Sequence, residues 1–218
     1  MPAPTTHPGP TLCAPEIASS ARRVDVLPAL FFLSGSAALI YQVMWQRLLF
    51  TLFGVDMEST TIIVSVFMLG LGVGALAGGV AADAFPRRRL LCFVLAELLI
   101  GLFGALSPWA IDLLAAALAG SGRVATALAS FALFLLPTTL MGGTLPVLVA
   151  HVHEREGHVG RSVGQLYFAN TLGAAAGAVT AGFILLNVLT DVDGSIHLAA
   201  ALNVGIAAAG AWNLRAPR

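Results

Sequence analysis

The residue with most chemistry to offer is a glutamate set in an apolar run, Glu97 within "FVLAELLIG". An ionisable side chain among lipid-soluble neighbours is costly, and such groups face a bundle interior or a water-filled cavity. Two readings stay open. Glu97 binds a substrate or a proton, or it makes an interhelical hydrogen bond in a static bundle. A second group sits in "YQVMWQ": Tyr41, Gln42, Trp45 and Gln46. On a helix Tyr41 and Trp45 share one face, and Gln42 and Gln46 share another. Gln42 is a candidate substrate contact or polar glue between helices, with Tyr41 and Trp45 beside it. Arg47, next along, is expected to reach the outer interface.

"PTTLMGGTLP" places Pro137, Gly142, Gly143 and Pro146 in one apolar segment. Proline removes a helix hydrogen bond and glycine loosens the backbone, so a broken or kinked helix is expected. A break exposes backbone groups to a ligand. A kink healed by Thr138, Thr139 or Thr144 is the plainer alternative. "HVHEREGH" (151–158) starts like a zinc helix, but its last histidine comes one position late. "DVDG" (191–194) lacks the later acidic ligands of a calcium loop and reads as an outer turn. Cys13 and Cys92 offer neither a disulfide framework nor a zinc site. No metal or cofactor is expected. No Ser–His or paired-Asp arrangement within the spans supports an intramembrane enzyme.

These residues need elements to hold them, and composition says which. Of 218 residues 58% are hydrophobic and 10% charged. Soluble domains carry about 25% charged residues, so there is too little polar surface here to cover a globule. Six apolar stretches are each long enough to cross a bilayer: 28–53, 60–82, 90–111, 124–150, 163–188 and 196–214. The fold class is therefore all-α, a polytopic membrane protein of six transmembrane helices in contact with the lipid bilayer. Residues 1–27 read as a disordered cytoplasmic tail and 215–218 as a cytoplasmic end. Arg22 and Arg23 hold the amino end inside, because the apolar run after them is too long for a signal peptide. A formal net charge of zero leaves no basic face for nucleic acid.

Positive residues gather in cytoplasmic loops. With both termini inside, Arg22, Arg23, Arg87, Arg88, Arg89, Arg155, Arg161, Arg215 and Arg218 all fall in the cytoplasm. Asp56, Glu58, Asp112, Asp191 and Asp193 fall outside. In span two Gly70, Gly74 and Gly78 recur every fourth residue, and span five repeats the device with Gly173 and Gly177. Such seams let helix backbones touch.

A helix rise of 1.5 Å per residue places Ser34, Ser36, Glu97, Thr138, Thr139 and Asn170 in one layer, about 10 Å from the cytoplasmic side. The expectation is a polar cavity open to the cytoplasm, with Glu97 as its charged member.

The stretch "GGVAADAFPRRR" resembles the loop between helices two and three of major facilitator transporters. Gly79, Asp83, Arg87, Arg88 and Arg89 match; Ala84 and Pro86 stand where that family has a basic residue and a glycine. "FFLSGSAALIYQVMWQRLLFTLFG", "LPTTLMGGTLPVL" and "GQLYFANTLGAAAGAVTAGF" look like the membrane half of bacterial fused transporter–spermidine synthase-like proteins. That half commonly has a glutamate where this chain has Gln42. The resemblance implies half of a major-facilitator-like bundle in the bacterial inner membrane. It also implies a homodimer or a partner membrane subunit, and a polyamine-like or other small polar solute. The alternative it leaves is a non-transporting membrane scaffold tethering a separately encoded spermidine synthase-like enzyme, or the membrane part of such a synthase. Polyamine synthesis by this polypeptide is not expected, since aminopropyl transfer needs a glycine-rich loop after a soluble strand. The Gly-Gly pairs 78–79 and 142–143 lie inside apolar runs instead.

Overall fold

The computed structural model describes residues 26–54, 56–156, 159–189 and 191–215. Most of the expected tail, His158 of the histidine cluster and most of 215–218 lie outside them. The elements are α1 (Val26–Phe53), α2 (Asp56–Ala84), a short 3-10 turn (Pro86–Arg88), α3 (Arg89–Ala117), α4 (Arg123–Glu156), α5 (Val159–Val179) and α6 (Val192–Arg215). After α5 the chain continues as a π-helix from Thr180 to Leu189. Six helices are long and apolar enough to cross a membrane, and there is no strand among the described residues. Each helix outruns its apolar span by a few residues, and Val26 and Leu27, assigned to the tail by composition, open α1.

Local chemistry sets the helix ends. Gly54, at φ +68°, turns the chain after α1 while its N–H bonds back to the Phe50 carbonyl at 2.8 Å. This is the left-handed helix stop that glycine takes without steric cost. The "DVDG" turn is the start of α6, where the Asp191 carboxylate accepts the Asp193 N–H at 3.1 Å as an N-cap.

Lipid tails are as apolar as leucine, so helices in a bilayer associate by close packing rather than by the hydrophobic effect. Three pairs carry most of it: α2 on α4, α1 on α5, and α3 on α6. Gly70 faces Thr138, Gly74 faces Thr139 and Gly142, and Gly78 faces Gly143 and Pro146, so α2 and α4 run parallel. Gly173 faces Phe32 and Gly177 faces Ser36, so α5 and α1 also run parallel. Gly101 of α3 faces Ala200 and Gly210 of α6 faces Val94, which makes that pair antiparallel.

The expected break in α4 is absent. The helix is continuous from Arg123 to Glu156 with Pro137 and Pro146 inside it. Gly142 and Gly143 serve close approach, lying against Leu71 and against Gly74 and Gly78. The hydroxyls of Thr139 and Thr144 bond to the carbonyls of Leu135 and Met141 in their own helix, each at 2.7 Å. The departure from α-geometry falls instead in span five. There Asn187 donates to the Phe183 carbonyl at 2.9 Å and approaches that of Gly182 at 3.5 Å.

The helix packings have an order. Exchanging α1, α2 and α3 for α4, α5 and α6 turns the α1–α5 pair into α4–α2 and maps α3–α6 onto itself. The lesser contacts follow, α3–α4 exchanging with α6–α1 and α1–α2 with α4–α5. The two glycine seams exchange as well: α2 presents one to α4, and α5 presents the other to α1. The bundle is thus a three-plus-three repeat in its packing.

Candidate functional site: a buried carboxylate among three helices

Glu97 lies on α3 where α1 and α6 converge, and its side chain is wholly enclosed, at 0% exposure. Ser34 of α1 donates its hydroxyl to Oε1 at 2.6 Å. Asn203 of α6 donates its amide to Oε2 at 2.6 Å. Each carboxylate oxygen therefore holds one helix to α3. The short distances fit hydrogen bonds to an ionisable group. The oxygen of the Asn203 amide is buried and has no hydrogen-bond partner.

The same face of α3 continues upward through small residues. Gly101 lies against Ala200 and Asn203, with an alanine methyl there meeting atoms at 3.1–3.2 Å. Gly104 makes room for the Tyr41 phenol, whose hydroxyl is buried without a partner. One turn further, the Trp45 indole N–H donates to Ser107 Oγ at 2.8 Å, and Ser107 donates to the Gly104 carbonyl at 2.8 Å. Ser34 with Glu97, Tyr41 with Gly104 and Trp45 with Ser107 keep one parallel register between α1 and α3. Tyr41 and Trp45 stack at 4.9 Å, and Phe134 and Phe103 close on Trp45 at 4.8 and 5.8 Å. Such ring pairs add about 0.5–1.5 kcal/mol each beyond their area. The aromatic pair is thus a packed core, and Gln42, on the next face, is half-buried.

The six residues placed by depth in one layer are divided among three seams. Ser34 and Glu97 meet. Ser36 donates to the Gly173 carbonyl at 2.8 Å in the α1–α5 seam, where Asn170 also lies, its Oδ1 and backbone carbonyl against Gly35. Thr138 donates to the Phe134 carbonyl at 2.8 Å and lies under Gly70, while the backbone carbonyl of Thr139 lies under Gly74. These threonines belong to the α2–α4 seam. Glu97 has no opening to either side of the bundle in this conformation.

Two partners escaped the sequence reading. Asn203, in "ALNVG", completes the carboxylate site, and Ser107 satisfies Trp45. The available signal was a lone polar side chain well inside an apolar span.

The basic loop is built around one of its three arginines. Arg89 donates to the Ala82 carbonyl at 2.9 Å, to the Ala150 carbonyl at 3.0 Å and to Glu154 at 3.1 Å. It ties the end of α2, the start of α3 and the end of α4 together. Asp83, Arg87 and Arg88 are exposed and Gly79 has open space around it. At the other end of the α2–α4 pair, Arg123 bridges Glu58 at 3.0 Å. Cavities of about 340 and 260 Å³ adjoin Arg123, remote from Glu97. In comparisons with known proteins, no family model matches the chain, and neither a curated protein nor a solved structure matches it.

Proposed function

We propose that this chain is a membrane transport module, one six-helix half that works as a homodimer or with a partner membrane subunit. Its solute is small and cationic, polyamine-like in class, and Glu97 is the carboxylate that answers its charge. The observation that carries this reading is the three-plus-three exchange in the helix packing. Nested inverted repeats of that kind build the six-helix halves of major-facilitator transporters, with the substrate site near the midplane between two halves. A fully buried carboxylate at a three-helix junction adds to it, because an intramembrane acid marks an ion or substrate path. The solute class follows from the resemblance to the membrane half of transporter–spermidine synthase-like proteins. Orientation follows from the arginines: the Pro86–Arg88 turn, the end of α4 and the start of α5 face the cytoplasm in a bacterial inner membrane.

Uptake of radiolabelled spermidine into proteoliposomes tests the reading. Wild type should accumulate label and Glu97→Gln should lose at least nine-tenths of the rate (about 1.4 kcal/mol per tenfold). No uptake above empty vesicles by wild type, in either insertion orientation, would refute it. Reporter fusions at Arg89 and Gly160 should be active only as cytoplasmic reporters.

One observation favours a second reading, a non-transporting scaffold for a separately encoded synthase-like enzyme. Both oxygens of Glu97 are already committed to Ser34 and Asn203, as static interhelical glue requires. Co-purification of a soluble enzyme with the chain, together with absent uptake, would establish that reading instead.

A further inference from the structure

We propose that Glu97 is a reversible proton-binding site shared by α1, α3 and α6, and that a proton and a cationic solute compete for it. The competition rests on the transport reading above; the proton site does not.

Along α1 from Val26 to Gln46 there is no charged side chain, and Tyr41, the one titratable group, lies two turns beyond Ser34. Along α6 none is charged or titratable from Leu198 to Leu214, and the His197 ring is engaged with the Asp193 carbonyl at 2.7 Å. On α3 the nearest such groups are Cys92 and Arg89 on one side and Asp112 on the other. Arg89 is occupied by Ala82, Ala150 and Glu154. Between Val124 and Ala150 α4 carries no titratable group, and neither does α2 from Ser59 to Ala82. On α5 the only ones are Arg161 and Tyr167. No fixed cation of the described residues lies at the site to neutralise Glu97. An ionised carboxylate removed from water without a counter-charge costs several kcal/mol.

The neutralising group must therefore come from outside, and the geometry selects the smallest one. Magnesium and calcium require six or more oxygen ligands. Here the side-chain groups bonded to the carboxylate are one hydroxyl and one amide, in a fully enclosed site. A proton needs no further ligand.

The two partners also suit both forms of the acid. A lysine or arginine only donates, and would hold Glu97 ionised. A serine hydroxyl and an asparagine amide accept as well as donate. When the carboxylate takes a proton, one C–O⁻ becomes C–O–H and nothing is oxidised or reduced. The new O–H can be accepted by Ser34 Oγ, whose own proton then turns to the carbonyl four residues back. Alternatively the Asn203 amide turns over and accepts on Oδ1, the atom now buried without a partner. Either change rewrites a bond between α3 and a neighbouring helix, so proton exchange is linked to how α1 and α6 sit on α3.

The test is infrared spectroscopy of the full chain in lipid nanodiscs, with the buffer cycled between acid and alkaline. Wild type should show a desolvated carboxylic C=O band that disappears at alkaline pH and returns on acidification. Glu97→Gln should lack it. Should Glu97→Gln fail to fold, Ser34→Ala keeps the acid and should shift the same band, because one hydrogen bond is lost. A wild type with no such band at any pH, or a band that never responds to pH, overturns the proposal. An exchanging band with no spermidine uptake leaves the proton site standing and removes the transport reading. Uptake without an exchanging band does the opposite.

Discussion

The α2–α4 seam makes a prediction that needs no knowledge of the solute. In Gly74→Ala the new methyl would lie 2.9 Å from the Gly142 Cα and 2.9 Å from the Gly143 nitrogen, with the Thr139 carbonyl oxygen nearer still. Carbon atoms rest at about 3.5–4.0 Å, so α4 must retreat by about 1 Å. All three obstacles are backbone, and no side chain can turn aside to absorb the change. Two long parallel helices cannot yield at one point, so the contacts at Gly70 and Gly78 open as well. Overpacking of this kind costs about 1–3 kcal/mol. Gly72, on the same helix, has nothing within 4 Å of an added methyl. Alanine there gains about 0.5–1 kcal/mol of helix propensity. That gain is common to both positions and cancels, so the two variants should differ by the overpacking term alone, about 1–3 kcal/mol, although the chemical change is identical. Unfolding in mixed micelles with rising dodecyl sulfate should give a lower midpoint for Gly74→Ala and an equal or higher one for Gly72→Ala. Equal midpoints would show that the seam does not hold the pair together.

The polar anchors give two further predictions. Arg89→Ala should cost about 1.5–3 kcal/mol, the range for hydrogen bonds to a charged group, because it removes three bonds made by a side chain only 15% exposed. Glu154→Ala, at 63% exposure, should cost less than about 1 kcal/mol, and the same micellar titration measures both. Trp45→Phe removes the indole donor to Ser107 and should lower stability by about 1–2 kcal/mol. Ser107→Ala, which leaves that indole N–H buried and unpaired, should cost at least as much.

Some of this architecture could be read from sequence and some could not, for a geometric reason. The six apolar lengths and the four-residue glycine spacing are one-dimensional facts, and they lead directly to six helices and two tight seams. Which helix lies against a seam is not one-dimensional. Nothing in "LGLGVGALAGG" names α4 as the partner, because the identity of the opposing surface depends on the fold of the whole chain. The same holds for Pro137 and Pro146. A proline's missing N–H predicts a weak point, but the packing of Gly142 and Gly143 against α2 holds α4 continuous through it. The π-helix at Thr180–Leu189 has no comparable mark in the sequence.

The candidate site shows the limit most clearly. Helix rise fixes the depth of a residue, so Ser34 and Glu97 were expected at one level, and they are bonded. Depth says nothing about direction. Each residue turns a helix by about 100°, so one or two positions move a side chain to another neighbour. Ser36, two residues after Ser34, bonds to Gly173 in a different seam. Thr138 and Thr139 point to α2 and to their own helix for the same reason. A layer of polar residues is therefore not yet a cavity: it becomes a site only where the directions also converge. Among the residues assigned to that layer they converge once, at Glu97, where Asn203 arrives from α6. That convergence, rather than the shared depth, makes Glu97 the position at which to look for a ligand or a proton.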